Sequence, residues 1–167
     1  MSSAYFFDAN AIYKYYQDEA GSETVRQLVQ DNPYRCFISE WSVVEFISIF
    51  RKYIQADGVK KAEQETRKNQ FYGLYQRFQN DLQSRLFIIM PIPVQWRADM
   101  SGLIIRLAID PLDVTARPSL KPPDALQFIT FQQLCQTFPQ TCMVTNDKPL
   151  TKVCKLEQLA ALDPCNT

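Results

Sequence analysis

The side chains that could do chemistry in this 167-residue chain are carboxylates, because the sequence contains no histidine. That excludes imidazole bases, Ser-His-Asp triads and His-ligated zinc. Four acids occupy positions from which chain order can bring them together. Asp8 follows the apolar run Ala4-Tyr5-Phe6-Phe7, and Glu45 lies six residues after Ser39. Asp124 follows Pro122-Pro123, and Asp147 follows Cys142-Met143-Val144-Thr145 and Asn146. Carboxylates packed side by side repel one another, by roughly 4 kcal/mol per pair at 4 Å and an effective dielectric near 20. A divalent cation removes that penalty, as does protonation of some of the acids. Oxygen-only ligands suit the hard ions Mg²⁺ and Mn²⁺. Such ions, held on an open carboxylate edge, activate water and stabilise the leaving oxygen in phosphoryl chemistry.

Positioning these acids requires a particular alternation of elements. Residues 4–7 read as a buried strand and residues 10–17 as a helix, with Ile12, Tyr13 and Tyr16 at helical spacing. Gly21-Ser22-Glu23 provides a break, an N-cap at Ser22 and a first-turn acid for a helix carrying Val25, Leu28 and Val29 and ending near Asn32-Pro33. Residues 35–38 predict a second strand and residues 39–54 a helix with Trp41, Val44 and Ile47 or Ser48 around its turns. In residues 59–83, Phe71, Leu74, Tyr75, Phe78 and Leu82 recur as one face of an amphipathic helix. Residues 86–90 predict a third strand, and residues 93–109 a helix with Val94, Ala98, Leu103 or Ile104, and Leu107 inward. A proline-rich loop, 110–122, precedes a helix from Pro123 to about Phe138. A fourth strand covers 142–145, a turn and short helix follow, and 159–162 reads as an edge strand or a loose tail. Strands alternating with helices predict an α/β fold with a mostly parallel sheet and helices on both faces. The whole chain, 1–167, is expected to form one domain, from which residues 55–84 project as a helical arm. A strand ending in Asp8 presents that carboxylate at the carboxyl edge of the sheet, where ligands bind in open α/β folds.

Composition narrows the field further. Lys plus Arg and Asp plus Glu number 18 each, so no global charge steers the chain toward nucleic acid, and any such contact needs a local basic patch. The five cysteines are odd in number and include no C-x-x-C pair, which argues for reduced, buried thiols. No signal peptide and no transmembrane-length apolar stretch are visible, so a cytoplasmic protein without membrane contact is expected.

Each acid also has a purely structural explanation. Asp8 or Asn10 suits a helix N-cap. Ser42-Val43-Val44-Glu45 fits a capping box, Asp124 a first-turn acid, and Asn146-Asp147-Lys148-Pro149 a turn. The ordered set favours a shared site over four separate coincidences.

The same residues resemble the PIN domain. The resemblance rests on Asp8-Ala9-Asn10, Ser39 with Glu45, Pro122-Pro123-Asp124-Ala125 opening a helix, and Val144-Thr145-Asn146-Asp147 after a strand. It covers nearly the whole chain and is closest to the VapC-type toxins of bacterial toxin–antitoxin pairs. It implies a Rossmann-like three-layer fold and an endoribonuclease dependent on Mg²⁺ or Mn²⁺. Asp8, Glu45, Asp124 and Asp147 would be the catalytic and metal-binding acids. Asn10, Thr145 and Ser39 would be auxiliary polar groups. RNA would be the substrate, a small antitoxin protein the partner, and a homodimer the assembly. The arm, the proline-rich loop and the neutral charge are departures from a minimal family member.

Two features bear on RNA. Residues 51–77 hold seven basic side chains against three acids, with Phe71, Tyr72 and Tyr75 interleaved. That pattern fits either phosphate and base contacts or a solvated helix face with an aromatic stripe against the core. Arg106, Arg117 and Lys121 are the candidate RNA contacts nearest the acids in sequence. An alternative function is a PIN-type RNA- or protein-binding module that is inactive, or silenced by an antitoxin whose Arg or Lys enters the acidic site. A phosphoaspartate phosphatase or receiver domain fits less well: the former wants a second Asp where Asn10 stands, and Lys148 matches the receiver lysine only loosely.

Overall fold

The computed structural model describes residues 3–54, 60–109, 118 and 120–166, leaving aside the side chains of residues 50 and 53. Five short strands, β1 (Ala4–Phe7), β2 (Cys36–Ser39), β3 (Ile88–Met90), β4 (Thr141–Val144) and β5 (Ala160–Leu162), form one sheet. Its order is β3-β2-β1-β4-β5 and every pairing is parallel. The chain builds outward from β1 through β2 to β3, then crosses back to lay β4 and β5 on the other side of β1. The winding direction therefore reverses between β1 and β4, where an open α/β sheet leaves a crevice outside its carboxyl ends. Phe7 pairs with Val144 there, and the Asp8 N–H donates to the Val144 carbonyl at 3.2 Å.

Among the described residues seven helices cover the sheet: α1 (Ala9–Tyr16), α2 (Ser22–Asp31), α3 (Glu40–Ile54), α4 (Lys61–Gln83), α5 (Trp96–Ile109), α6 (Pro122–Thr137) and α7 (Lys148–Leu156). Successive strand residues point to opposite faces, so the sheet supports two cores. On one face Phe7, Cys36, Ile38 and Val144 pack with Ile12 of α1, Val25 of α2, Phe46 of α3 and Phe78 of α4. On the other, Phe6, Phe37 and Met143 pack with Leu103 of α5, Phe128 and Phe131 of α6, and Leu150 of α7. Phe6 and Phe7 are both completely buried. A side chain of this size contributes roughly 1.5–3 kcal/mol by burial, which anchors the end of β1 on both sides and fixes where Asp8 emerges.

The three-layer α/β architecture is the one expected, with a sheet that is wholly rather than mostly parallel. Residues 160–162 settle as an edge strand beside β4. Other details differ. Ser22 is inside α2 rather than its cap; Gly21 takes the cap position at φ 86°, and a Cβ there would meet the Pro164 carbonyl oxygen at 2.8 Å. The Ser22 hydroxyl instead bridges the preceding turn, accepting from the Glu19 N–H at 2.9 Å and donating to the Gln17 carbonyl at 2.6 Å. Val94 precedes α5 and is 98% exposed, and Val44 is 52% exposed while Phe46 is buried. The buried side of α3 runs through Ser42 and Phe46, a face whose polar member hides it from a count of apolar residues. The arm divides in two. Leu74 and Phe78 bury the second half of α4 against the core, and the Tyr16 hydroxyl donates to Asp81 at 2.6 Å. The first half is polar and exposed. Of the loop 110–122, residues 110–117 and 119 lie outside the described residues, as do residues 55–59 at the start of the arm.

Candidate active site

Asp8 follows the last residue of β1 and caps α1. Its Oδ1 accepts from the Ala11 N–H at 2.6 Å, and its Oδ2 accepts from the Thr145 hydroxyl. The cap explanation for Asp8 therefore holds, but it uses one oxygen. The side chain is 2% exposed, and no ion pair to it is found among the described residues. Thr145, just past β4, is a junction. Its hydroxyl donates to Asp8 and accepts the Asp147 N–H at 3.0 Å. Asp147 in turn caps α7, with Oδ1 accepting from the Leu150 N–H at 2.8 Å. The two strand ends that flank the winding reversal are thus tied together through Thr145.

Glu45 and Asp124 come from the two helices that meet over the β2 side of this edge. The capping-box explanation for Glu45 fails, because α3 starts at Glu40 and Ser42 is already inside it. Ser39 performs that local job, its Oγ accepting from the Ser42 N–H at 2.8 Å. Asp124 sits in the first turn of α6, behind two prolines whose missing N–H groups are tolerated there. Three residues on, Gln127 is 3% exposed and reaches across to α3. Its Nε2 donates to Glu45 Oε2, and its Oε1 accepts from the Ser42 hydroxyl at 3.2 Å. The carboxylate fixes the amide orientation, since only the NH₂ end can face it.

Electrostatics show that the four acids sense one another. Burial pushes the Asp8 carboxyl up to about 6, and the charges of Asp147 and Glu45 push the same way against the hydrogen bonds from Thr145 and Ala11. Burial also raises Glu45, and Asp124 adds to the effect. Trp41, Gln127 and Lys52 oppose it; the buried Trp41 Nε1 makes no well-aligned hydrogen bond among the described residues but lies close enough to favour the carboxylate. Asp124 is raised by burial and by Asp147, while the Lys121 backbone and ammonium oppose the rise. Like charge thus acts on three of the acids: on Asp8 from Asp147 and Glu45, on Glu45 from Asp124, and on Asp124 from Asp147.

The donor set consists of oxygens, and its negative charge is only partly offset by the exposed Lys52 and Lys121. In donor type and in charge it suits a hard divalent ion. It is not a preformed cage: among the described residues no three acids are grouped closely enough to hold an ion.

The remaining expected residues are placed as follows. Ser39 is completely buried beside Ser42. Asn10 is exposed in the first turn of α1. Lys121 is exposed at the cap of α6 and is the cation nearest Asp124. Arg106 is not brought to the acids. It pairs with Glu157 at 2.9 Å, ten residues beyond Asp147, which is about 15 Å along α7. Arg117 lies outside the described residues. Gln127, Ser42 as a site residue, and Trp41 were not anticipated from sequence. The available signal was spacing: Gln127 is i+3 from Asp124, and Ser42 is i−3 from Glu45, which puts each on the same helix face as an acid.

No protein-family model matches the chain, and no curated protein matches it in sequence. Solved structures do. A chain from the structure of FitAB bound to IR36 DNA fragment superposes with a TM-score of 0.63 at 13% identity, covering 98% of this chain and 96% of that one. A chain of VapBC2 from Rickettsia felis, bound to a DNA fragment from their promoter, gives 0.58 at 14% identity, covering 95% and 97%. A toxin–antitoxin complex from Klebsiella pneumoniae gives 0.53 at 18% identity, covering 96% and 98%. At these identities the likeness is one of fold: the five-stranded parallel sheet, with helices on both faces, is the PIN-like architecture of those chains.

Proposed function

We propose that this chain is a PIN-domain endoribonuclease of the toxin class, hydrolysing RNA phosphodiesters at its acidic edge with Mg²⁺ or Mn²⁺. The observation that carries the reading is a buried carboxylate, Asp8, at the winding reversal of a parallel sheet, hydrogen-bonded through Thr145 to the strand end that carries Asp147, with Glu45 and Asp124 on helices that come to the same edge. Helix caps and turns explain single acids. They do not explain why Asp8 is buried with no ion pair among the described residues while the charges of two other acids act on it, an arrangement that works against folding. The PIN-like fold and the toxin–antitoxin complexes that share it support the same reading, with a small antitoxin as partner and a homodimer as the expected assembly.

Asp8, Asp124 and Asp147 would hold the ion, and Glu45 would bind a second ion or orient the attacking water. When bound, the ion supplies hydroxide at neutral pH and charge stabilisation at the phosphate. The chain's own residues do the positioning. Thr145 holds Asp8 and the start of α7 in register. Both Asp8 oxygens are held, one by the Ala11 N–H and one by the Thr145 hydroxyl, Asp147 keeps one oxygen outside its capping bond, and Lys121 offers a cation to an incoming phosphate.

Incubation with total RNA in Mg²⁺ or Mn²⁺ tests this. Cleavage is expected, to be lost with chelator and to fall about a thousandfold or more in Asp8→Asn. Full cleavage by a well-folded Asp8→Asn protein would overturn the assignment. Absence of cleavage in the wild type, with tight binding of RNA or a partner protein, would favour the inactive binding module.

A further inference from the structure

We propose that Gln127 is the positioning residue of the acidic edge: it sets the rotamer and direction of Glu45 and is itself held by the Ser42–Ser39 hydroxyl pair. The inference rests on the four-carboxylate reading above and adds to it a residue outside the four acids.

A Glu side chain projecting from a helix has three rotatable bonds, and Glu45 is only half-buried, so packing alone does not fix it. Gln127 does so from the facing helix. One end of its amide donates to Glu45 Oε2 and the other accepts from Ser42. With its own proton committed to Gln127, the Ser42 hydroxyl serves as acceptor to Ser39 at 2.8 Å. Donation therefore runs in one direction, from Ser39 to Ser42 to Gln127 to Glu45. Ser39 ends β2, and Ser42 is one turn into the same helix as Glu45, so the relay refers the carboxylate to the sheet. All three relay residues are nearly or wholly buried, at 0%, 0% and 3% exposed for Ser39, Ser42 and Gln127. Water therefore does not compete for these bonds.

A glutamine is a specific choice here. A carboxylate at 127 would add a fifth negative charge, an aliphatic side chain would remove the donor to Glu45 Oε2 and leave the Ser42 hydroxyl with Ser39 alone, and asparagine is one methylene too short to span the helices. Gln127 bonds Oε2 alone. An outer-shell group of this kind typically changes metal affinity or activity by 10- to 100-fold when removed.

The test is a double-mutant cycle read out by Mn²⁺ binding (calorimetry or electron paramagnetic resonance) and by kcat for RNA cleavage. Gln127→Leu, Glu45→Ala and the double variant are compared with wild type, with circular dichroism as the control for folding. Gln127→Leu is expected to weaken Mn²⁺ binding about tenfold and to lower kcat, yet to have no further effect in the Glu45→Ala background. If Gln127→Leu fails to fold, Ser42→Ala carries the same expectation with a smaller volume change. Equal effects of Gln127→Leu (or Ser42→Ala) in both backgrounds, or no effect at all, would overturn the proposal. If Glu45→Ala itself leaves Mn²⁺ binding and cleavage unchanged, the four-carboxylate reading fails first.

Discussion

The acidic edge and the first half of α4 both concentrate charged side chains, and they treat them in opposite ways. On α4, Glu63 pairs with Arg67 at i,i+4 and Glu65 with Lys68 at i,i+3, each at 2.7 Å and open to water. These are local pairs that any exposed helix can form, and they favour the solvated-face reading of residues 51–77 over the phosphate-contact one. At the edge, like charges meet from residues up to 139 positions apart, partly buried and without an ion pair among the described residues. Solvated, paired charge is what a surface adopts by default. Buried, repelling charge requires the rest of the fold to hold it in place, and is therefore the stronger indication of function.

Experiments can press on this contrast at several levels. The largest stability effect is expected where α4 stops being an arm. Phe78 is completely buried, with its ring centroid 4.5 Å from that of Phe46. Phe78→Ala should destabilise by about 3–5 kcal/mol in chemical denaturation; a change below about 1 kcal/mol would mean that the whole helix, not only its first half, is peripheral.

A smaller effect is expected from Asp8 in metal-free protein. Its carboxyl is raised from 3.8 to about 6 in the fold. The folded state therefore binds the proton more tightly than the unfolded chain, and ionising Asp8 lowers stability. The penalty is absent below about pH 4, grows through about pH 6 and is constant above, amounting to about 3 kcal/mol. With chelator present, Asp8→Asn should be more stable than wild type at pH 7 and close to it at pH 4. Denaturation curves that differ equally at both pH values would remove the electrostatic half of the contrast.

The smallest effect is expected on the exposed half of α4. Arg67→Ala with Lys68→Ala should change RNA cleavage by less than about threefold at 0.15 M salt, where exposed charges are largely screened. A tenfold loss with a shallower salt dependence would make the arm an RNA contact after all and erase the distinction between the two regions.

Sequence patterning carried most of the architecture because burial in a βαβ fold is periodic. Phe6 and Phe7 on alternate faces, and Leu74 and Phe78 one turn apart, report their environment through spacing alone. It also placed the four acids on their elements, because each falls at a strand end or in the first turns of a helix. It did not carry Gln127 or the inward side of α3. Ser42 and Gln127 are buried with their polar atoms satisfied by Ser39, by Glu45 and by each other across 85 residues of chain, and a polar residue in isolation reads as exposed. Arg106 shows the converse: it is 18 residues from Asp124 in sequence, yet α7 carries its partner Glu157 away from the edge. The types and order of the acids were thus determined by the sequence itself. Where each acid stands relative to the others was decided by tertiary structure, because it depends on the reversal between β1 and β4 and on which helix faces meet across the sheet.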